Sequence, residues 1–82
     1  RMDARPEGCM LVCENDDKPL IIGRLGTIIG EAGVNIANFT LGRDARGGRA
    51  LTIMNLDEPI AADVLKKIHE IPHVNAAKLV EL

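Results

Sequence analysis

A short polar turn carries the strongest chemical signal in this sequence. Its residues 15–19 read Asn-Asp-Asp-Lys-Pro and precede an apolar run with helical spacing, and proline suits the first position of a helix. The N-terminus of a helix presents unpaired N–H groups and about half a positive charge, which suit a carboxylate. Asp17 at the same point can accept an ammonium group. Together these features suit a zwitterion such as a free amino acid, whereas the simpler alternative is that Asp17 caps the helix.

Three glycines lie inside the helix that this turn begins. Gly23, Gly26 and Gly30 fall along one edge of its apolar stripe, and each costs roughly 0.8–1 kcal/mol of helix stability relative to alanine. Two explanations are open: the edge packs tightly on the domain's own sheet, or a partner backbone or a ligand approaches it closely. A phosphate-binding loop is disfavoured, because such glycines precede a helix.

The cysteines and histidines have spacings that raise the question of a metal site. Cys9 and Cys13 lie in a strand-like run, where four residues separate them by roughly 13 Å, beyond the reach of a disulfide. We expect them to be reduced and without function, as small hydrophobic residues on one face of a strand. Pro72 lies between His69 and His73 and interrupts any helix that carries both, so solvated positions are favoured over metal ligands.

The composition bounds what the chain can do. There is no serine among the 82 residues, and no set of catalytic groups stands out, so we do not expect an enzyme. A net charge of −2 and a single aromatic residue, Phe39, argue against nucleic-acid binding, which favours a basic stripe with interleaved aromatics. No apolar run approaches the roughly 20 residues that span a bilayer, and residues 1–8 do not resemble a signal peptide. No membrane contact and a cytoplasmic location are therefore expected.

Hydrophobic spacing predicts the order strand, helix, strand, strand, helix, strand. The predicted strands cover residues 8–14, 34–41, 49–56 and 74–82, and the predicted helices begin at Leu20 and near Pro59. This order is that of the split βαβ or ferredoxin-like fold, an α+β domain with a four-stranded antiparallel sheet and both helices on one face. Residues 1–7 are assigned to a linker or the tail of a preceding domain, and residues 8–82 to the folded domain.

One face of such a sheet is left without helices, and we expect it to be partly apolar. Ala50, Met54 and Val80 are the candidates for this face. An uncovered apolar face or sheet edge favours association, and a domain of this size gains stability from it. A homodimer or higher homo-oligomer is expected.

These motifs, taken together, resemble the ACT domain, a family of small-molecule sensors with the ferredoxin-like fold. The resemblance rests on Asn-x-Asp-Lys-Pro at residues 15–19, the glycine-containing helix, and Gly-Val-Asn-Ile-Ala at residues 33–37, and it extends from Pro6 to Leu82. The details of the sequence resemble those of the C-terminal regulatory domain of bacterial D-3-phosphoglycerate dehydrogenases. The resemblance implies that L-serine binds where two such domains meet, and that NAD is bound by the parent enzyme and not by this chain.

The resemblance also implies the residues of an effector site. Asp17 takes the ammonium group of serine, Asn35 of a second subunit adds polar contacts, and the N–H groups near residues 19–21 take the carboxylate. The implied ligand-binding residues are Asn15, Asp17, Lys18, Pro19, Leu20, Ile21, Asn35 and Ile36. Leu20 departs from the family pattern, which usually has glycine at this position.

The implied function is feedback regulation of serine biosynthesis by a domain that senses L-serine. Two alternatives are open. The same module occurs on the β-subunit of iron–sulfur L-serine dehydratases, and a module of this kind can also serve dimerisation alone after losing its ligand.

Overall fold

The computed structural model describes residues 8–44 and 46–81. The elements are β1 (Cys9–Asp16), α1 (Ile21–Glu31), β2 (Ile36–Arg43), β3 (Arg49–Leu56), α2 (Ala62–His69) and β4 (Val74–Glu81). The four strands form one antiparallel sheet in the order β2-β3-β1-β4. The predicted ferredoxin-like fold is confirmed. The assignment of residues 1–7 to a linker lies outside the described residues.

The hydrophobic core lies between the sheet and the two helices. α1 contributes Ile21, Leu25 and Ile29, which are spaced by four residues and therefore share one side of the helix. They pack in one cluster with Leu11 of β1 and Ile68 of α2. Each such fully buried aliphatic side chain contributes about 1.5–3 kcal/mol, so this cluster is what attaches α1 to the sheet.

Local sequence sets where the helices end. Gly33 follows α1 with φ of 79°, a left-handed conformation that glycine adopts without steric cost, and its N–H donates to the C=O of Gly30 at 2.9 Å. α2 begins at Ala62, so the predicted start near Pro59 is wrong by about one turn. The segment before it is held by Ile60, which is buried in the core.

The strand pairing decides which side chains face the helices. Opposite residues of an antiparallel pair share a face, and Met54 lies opposite the core residue Leu11. Ala50 and Met54 are only 3% and 1% exposed on the helix-covered face, so their predicted placement on the uncovered face is wrong. Val80 lies opposite Met10 and does belong to the uncovered face.

β1 is longer than the sequence predicted. Residues 15 and 16, which were expected in a turn, are its last two residues. Asp16 lies opposite Arg49 of β3, and its N–H donates to the C=O of His73 at 2.8 Å. Pairing on both sides therefore extends the strand to the point where the polar turn begins.

β2 forms one edge of the sheet and is largely exposed. It pairs with β3 along its length, and seven of its eight residues are exposed. Phe39 and Leu41 are 51% and 44% exposed. They lie opposite Met54 and Thr52, and hence on the helix-covered face, where α1 and α2 leave them accessible.

None of the helices in the described part of the chain has the length and apolar character to cross a membrane.

Candidate functional site

Asp17, the predicted ammonium ligand, lies directly after β1 and contacts the turn between β2 and β3. Its Oδ2 accepts hydrogen bonds from the Gly47 N–H and from Nη1 of Arg43, both at 2.9 Å. Its own N–H donates to the C=O of Gly48 at 2.7 Å. The hydrogen bond from Gly47, followed by that from Arg43, lowers the pKa of Asp17 below its usual value. Asp17 is therefore ionised at neutral pH and joins the end of β1 to the β2–β3 turn.

The residue that precedes α1, Leu20, has an unusual backbone conformation. Leu20 has φ of 76°, a left-handed conformation that costs a non-glycine residue about 1–2 kcal/mol, and its side chain is 69% exposed. This conformation gives a physical reason why glycine is common at this position in the resembled family. The C=O of Leu20 accepts the first helical hydrogen bond, from the Arg24 N–H at 2.9 Å.

No side chain caps this helix. α1 has no side-chain hydrogen bond at its N-cap, so the alternative in which Asp17 caps the helix is not observed. The N–H groups of the first helical turn have no intrahelical acceptor and carry the positive end of the helix dipole. They are the groups that the sequence assigned to a carboxylate.

Asn15, two residues before Asp17, is a residue of β1 whose side chain is buried in the core. It is 3% exposed, its Oδ1 accepts a hydrogen bond from the Thr52 hydroxyl at 3.2 Å, and its Nδ2 donates to the C=O of Asp16 at 2.9 Å. Its polar groups are thus paired within the domain. A contact between Asn15 and a ligand stays a prediction.

The remaining predicted site residues form two separate groups. Lys18 and Pro19 are exposed beside Leu20, while the Ile21 side chain is buried in the core. Asn35 is exposed and Ile36 half-buried at the start of β2. Asn35 and Arg43 are eight positions apart, or roughly 26 Å along an extended strand, and Arg43 contacts Asp17. One domain therefore does not bring Asn35 to Asp17, and a site that contains both requires two chains.

The edge of α1 that carries Gly23, Gly26 and Gly30 is called the glycine edge. A Cβ added at any of these positions meets no atom of the described residues within 4 Å, apart from immediate neighbours and the helix's own backbone. Tight packing within the domain is therefore not the reason for these glycines. Close approach of a partner or a ligand is the explanation that remains from the sequence.

A shallow cavity of about 490 Å³ lies along α1 next to this edge. Its lining is mostly apolar and includes Leu20, Gly23, Arg24, Thr27, Ile28 and Ile71. Arg24 and Thr27 lie on the exposed side of α1, and the sequence alone does not indicate a cavity there. The α1 spacing could show their shared side, but the contribution of Ile71 arises only from the packing of α1 beside the end of α2.

Both cysteines are free and buried in the helix-covered face of β1. Burial raises the pKa of Cys9, and raises that of Cys13 to about 11. His69 and His73 have different partners, since Nε2 of His69 lies 2.8 Å from the C=O of Ala77 and Nδ1 of His73 lies 3.3 Å from Oδ2 of Asp16. Within residues 8–44 and 46–81, no group of three or more side chains has the arrangement of a metal site.

Asp16 anchors a second polar cluster on the uncovered face of the sheet. Its carboxylate accepts a hydrogen bond from Nδ2 of Asn75 at 3.2 Å and contacts His73 and Arg49, the latter at 3.8 Å. The hydrogen bond from Asn75 and, to a smaller extent, that with His73 lower the pKa of Asp16 below its usual value. Asp16 and Asp17 thus face different partners, and only Asp17 joins the β2–β3 turn.

Comparison with known proteins gives consistent matches. A family model described as the ACT domain matches residues 10–73. The chain is 35% identical over 77 residues to D-3-phosphoglycerate dehydrogenase of Methanocaldococcus jannaschii, covering 94% of this chain and 15% of that protein. It is 30% identical over 81 residues to the Bacillus subtilis enzyme of the same name, covering 99% of this chain and 15% of the relative. The chain thus spans about 15% of the length of these relatives.

Proposed function

This chain belongs to the ACT domain family, and we propose that it is the L-serine-sensing regulatory domain of a D-3-phosphoglycerate dehydrogenase. An ACT domain is a regulatory unit, so the chain binds an effector and leaves catalysis, and NAD, to the rest of the parent enzyme. A cytoplasmic location belongs to the same proposal. The curated relatives named above, all D-3-phosphoglycerate dehydrogenases, favour this parent over an L-serine dehydratase.

The observation that carries the proposal is an ionised carboxylate four residues before an uncapped helix N-terminus. Asp17 supplies the negative charge for an ammonium group, and the first turn of α1 supplies N–H groups for a carboxylate. An amino acid carries both charged groups as substituents of one carbon atom. Serine has about seven heavy atoms, so its binding free energy can reach at most about 10 kcal/mol in magnitude. Dissociation constants in the micromolar to millimolar range are expected.

The partner in this proposal is a second copy of the domain. β2 is an edge strand with exposed Phe39 and Leu41, and such an edge is a template for another strand. Antiparallel pairing of two β2 strands makes a continuous eight-stranded sheet. A two-fold axis at the middle of β2, between Phe39 and Thr40, brings Ile36 close to Arg43 of the partner subunit, because the two positions lie the same number of residues from the axis.

This pairing completes the site. Asn35 of the partner subunit then lies next to Arg43, which contacts Asp17. Within one chain, Asn35 and Arg43 are roughly 26 Å apart, but the two-fold symmetry of the dimer brings Asn35 of one subunit to Arg43 of the other. The glycine edge of α1 faces outward and can accept the close approach of the second copy.

Calorimetric titration of the dimer with L-serine, glycine and L-alanine tests the proposal. Asp17→Ala and Asn35→Ala should each weaken serine binding roughly ten- to hundredfold, the effect of losing one charge-assisted contact. Asp63→Ala on α2 is a control outside the proposed interface and should bind as the wild type does. Absence of heat with all three amino acids at millimolar concentration would instead favour a domain that serves dimerisation alone.

A further inference from the structure

The Asp17 carboxylate already pairs with a cation of the same chain. Nη1 of Arg43 lies 2.9 Å from Oδ2 of Asp17, and the Gly47 N–H donates to the same oxygen. Arg46 of the same turn adds positive charge near this carboxylate. The charge that an effector's ammonium group requires is therefore partly neutralised before any effector arrives.

The exposure of the two side chains shows how the pair can open. The Arg43 side chain is 49% exposed and that of Asp17 is 17% exposed. A half-exposed guanidinium retains much of its hydration, so such an ion pair contributes little stability and is readily exchanged. The Gly47 N–H stays on Oδ2 when the guanidinium leaves, because it is fixed in the backbone of the turn. Asp17 can thus exchange its cation while its position is kept.

We propose that Arg43 is an internal competitor for the effector's ammonium group, and that its displacement from Asp17 sets both the affinity and the charge preference of the site. The inference rests on the proposed function. A ligand with an ammonium group must exchange with the Arg43 guanidinium. A ligand that has a hydroxyl group in place of the ammonium can donate one hydrogen bond to Asp17, but it brings no positive charge to replace that of Arg43.

Two substitutions in the 82-residue chain test this role. Arg43→Gln removes the competing charge and keeps a polar side chain, although a shorter one. Arg49→Gln removes an equal charge from the neighbouring strand, where Arg49 Nε lies 3.8 Å from Asp16 and not beside Asp17. Each variant is titrated with L-serine and with glycerate, in which a hydroxyl group replaces the ammonium. A chemical denaturation curve for each variant establishes that it folds.

Arg43→Gln should bind L-serine about tenfold more tightly than the wild type, the effect of freeing one charge-assisted partner. The same variant should bind glycerate no more tightly, and Arg49→Gln should leave serine binding unchanged. Serine binding by Arg43→Gln alone, with none by the wild type, also supports the competition. In the wild type, the NMR signal of the Arg43 side-chain Nε–H should shift on saturation with serine.

If Arg43→Gln binds serine no more tightly than the wild type does, the competitor role is overturned. Serine binding by the wild type would still support the sensing function in that case. An Arg43 Nε–H signal that stays unchanged at saturation has the same consequence. Absence of serine binding in the wild type and in both variants overturns the competitor role together with the proposed function.

Discussion

The hydroxyl group of Thr52 donates a hydrogen bond of 3.2 Å to Oδ1 of Asn15, inside the core of the domain. Thr52 is 0% and Asn15 3% exposed, and they are the buried polar side chains of the described part of the chain. Asn15 also donates to the C=O of Asp16, the last residue of β1. This small polar network therefore fixes the end of β1 at the point from which Asp17 leaves the sheet.

Removing the donor of this pair should destabilise the domain. Thr52→Val keeps the shape of the side chain but leaves the buried Asn15 Oδ1 without its partner, so we expect the free energy of unfolding to fall by about 1–3 kcal/mol. Thr52→Ser keeps the hydroxyl and loses one methyl group, which costs about 0.8 kcal/mol. Urea denaturation measures both changes. A valine variant as stable as the wild type would show that the hydrogen bond contributes nothing.

The order of elements could be predicted because it rests on local signals. The four-residue spacing of Ile21, Leu25 and Ile29 marks a helix without any knowledge of what it packs against, and Gly33 marks its end. The extension of β1 through Asp16 could not be predicted in this way. The run Asn-Asp-Asp-Lys-Pro is typical of a turn, and only pairing of Asp16 with Arg49 and His73 keeps its first two residues in the sheet.

The candidate site was predictable only in part, for a related reason. The sequence marks Asp17 and the start of α1, since both belong to one continuous segment. Arg43 and Gly47 are 26 and 30 residues away, so only the folded chain brings them to Asp17. Likewise, the register of β3 against β1 decides which alternate residues of β3 face the helices. Ala50 and Met54 are in that set, and residue type alone does not reveal it.

Leu20→Gly should stabilise the domain. Glycine adopts the left-handed conformation at this position without the cost that leucine incurs, and its larger loss of chain entropy offsets part of the gain. The net gain in unfolding free energy should be about 0.5–1 kcal/mol. Leu20→Ala retains the left-handed cost and is the control without a gain. The glycine variant should also bind L-serine more tightly, because it removes bulk beside the site; weaker binding would show that the leucine contacts the ligand favourably.

Acid should destabilise the domain through Asp17. The folded-state pKa of Asp17 lies below the unfolded-state value of about 4, so its stabilising effect is present above pH about 4 and is lost as the pH falls through the folded value. Asp16 acts in the same direction, since its pKa is also lowered. Denaturation midpoints between pH 5 and about 2 should therefore decline less steeply in Asp17→Asn than in the wild type. Asp63→Asn on α2 controls for the change in net charge, and equal slopes in all three proteins would contradict the prediction.

The cysteines should be unreactive in the folded domain. With a pKa of about 11, Cys13 has roughly 0.1% thiolate at pH 8, and its side chain is buried. Cys9 is equally buried, and its pKa is also raised. Iodoacetamide should label neither residue in buffer and both in urea, as mass spectrometry would show. Replacing both by alanine should leave the serine response intact at a packing cost of a few kcal/mol; rapid labelling of the folded chain would contradict their burial.

Alanine substitutions on the glycine edge should separate the stability of the domain from its association. Gly26→Ala and Gly30→Ala add a methyl group where the domain itself has free space, so each should raise the unfolding free energy of the monomer by about 0.8–1 kcal/mol through helix propensity. If the glycine edge meets a second copy, the same methyl groups overpack that contact, and sedimentation equilibrium should show dimer dissociation constants higher by about tenfold or more. Gly33→Ala is the contrasting control, because its positive φ makes alanine destabilising without adding bulk to the edge. More stable variants with unchanged association would place the dimer contact elsewhere, and the remaining reason for three glycines in α1 would then be a ligand that lies along them.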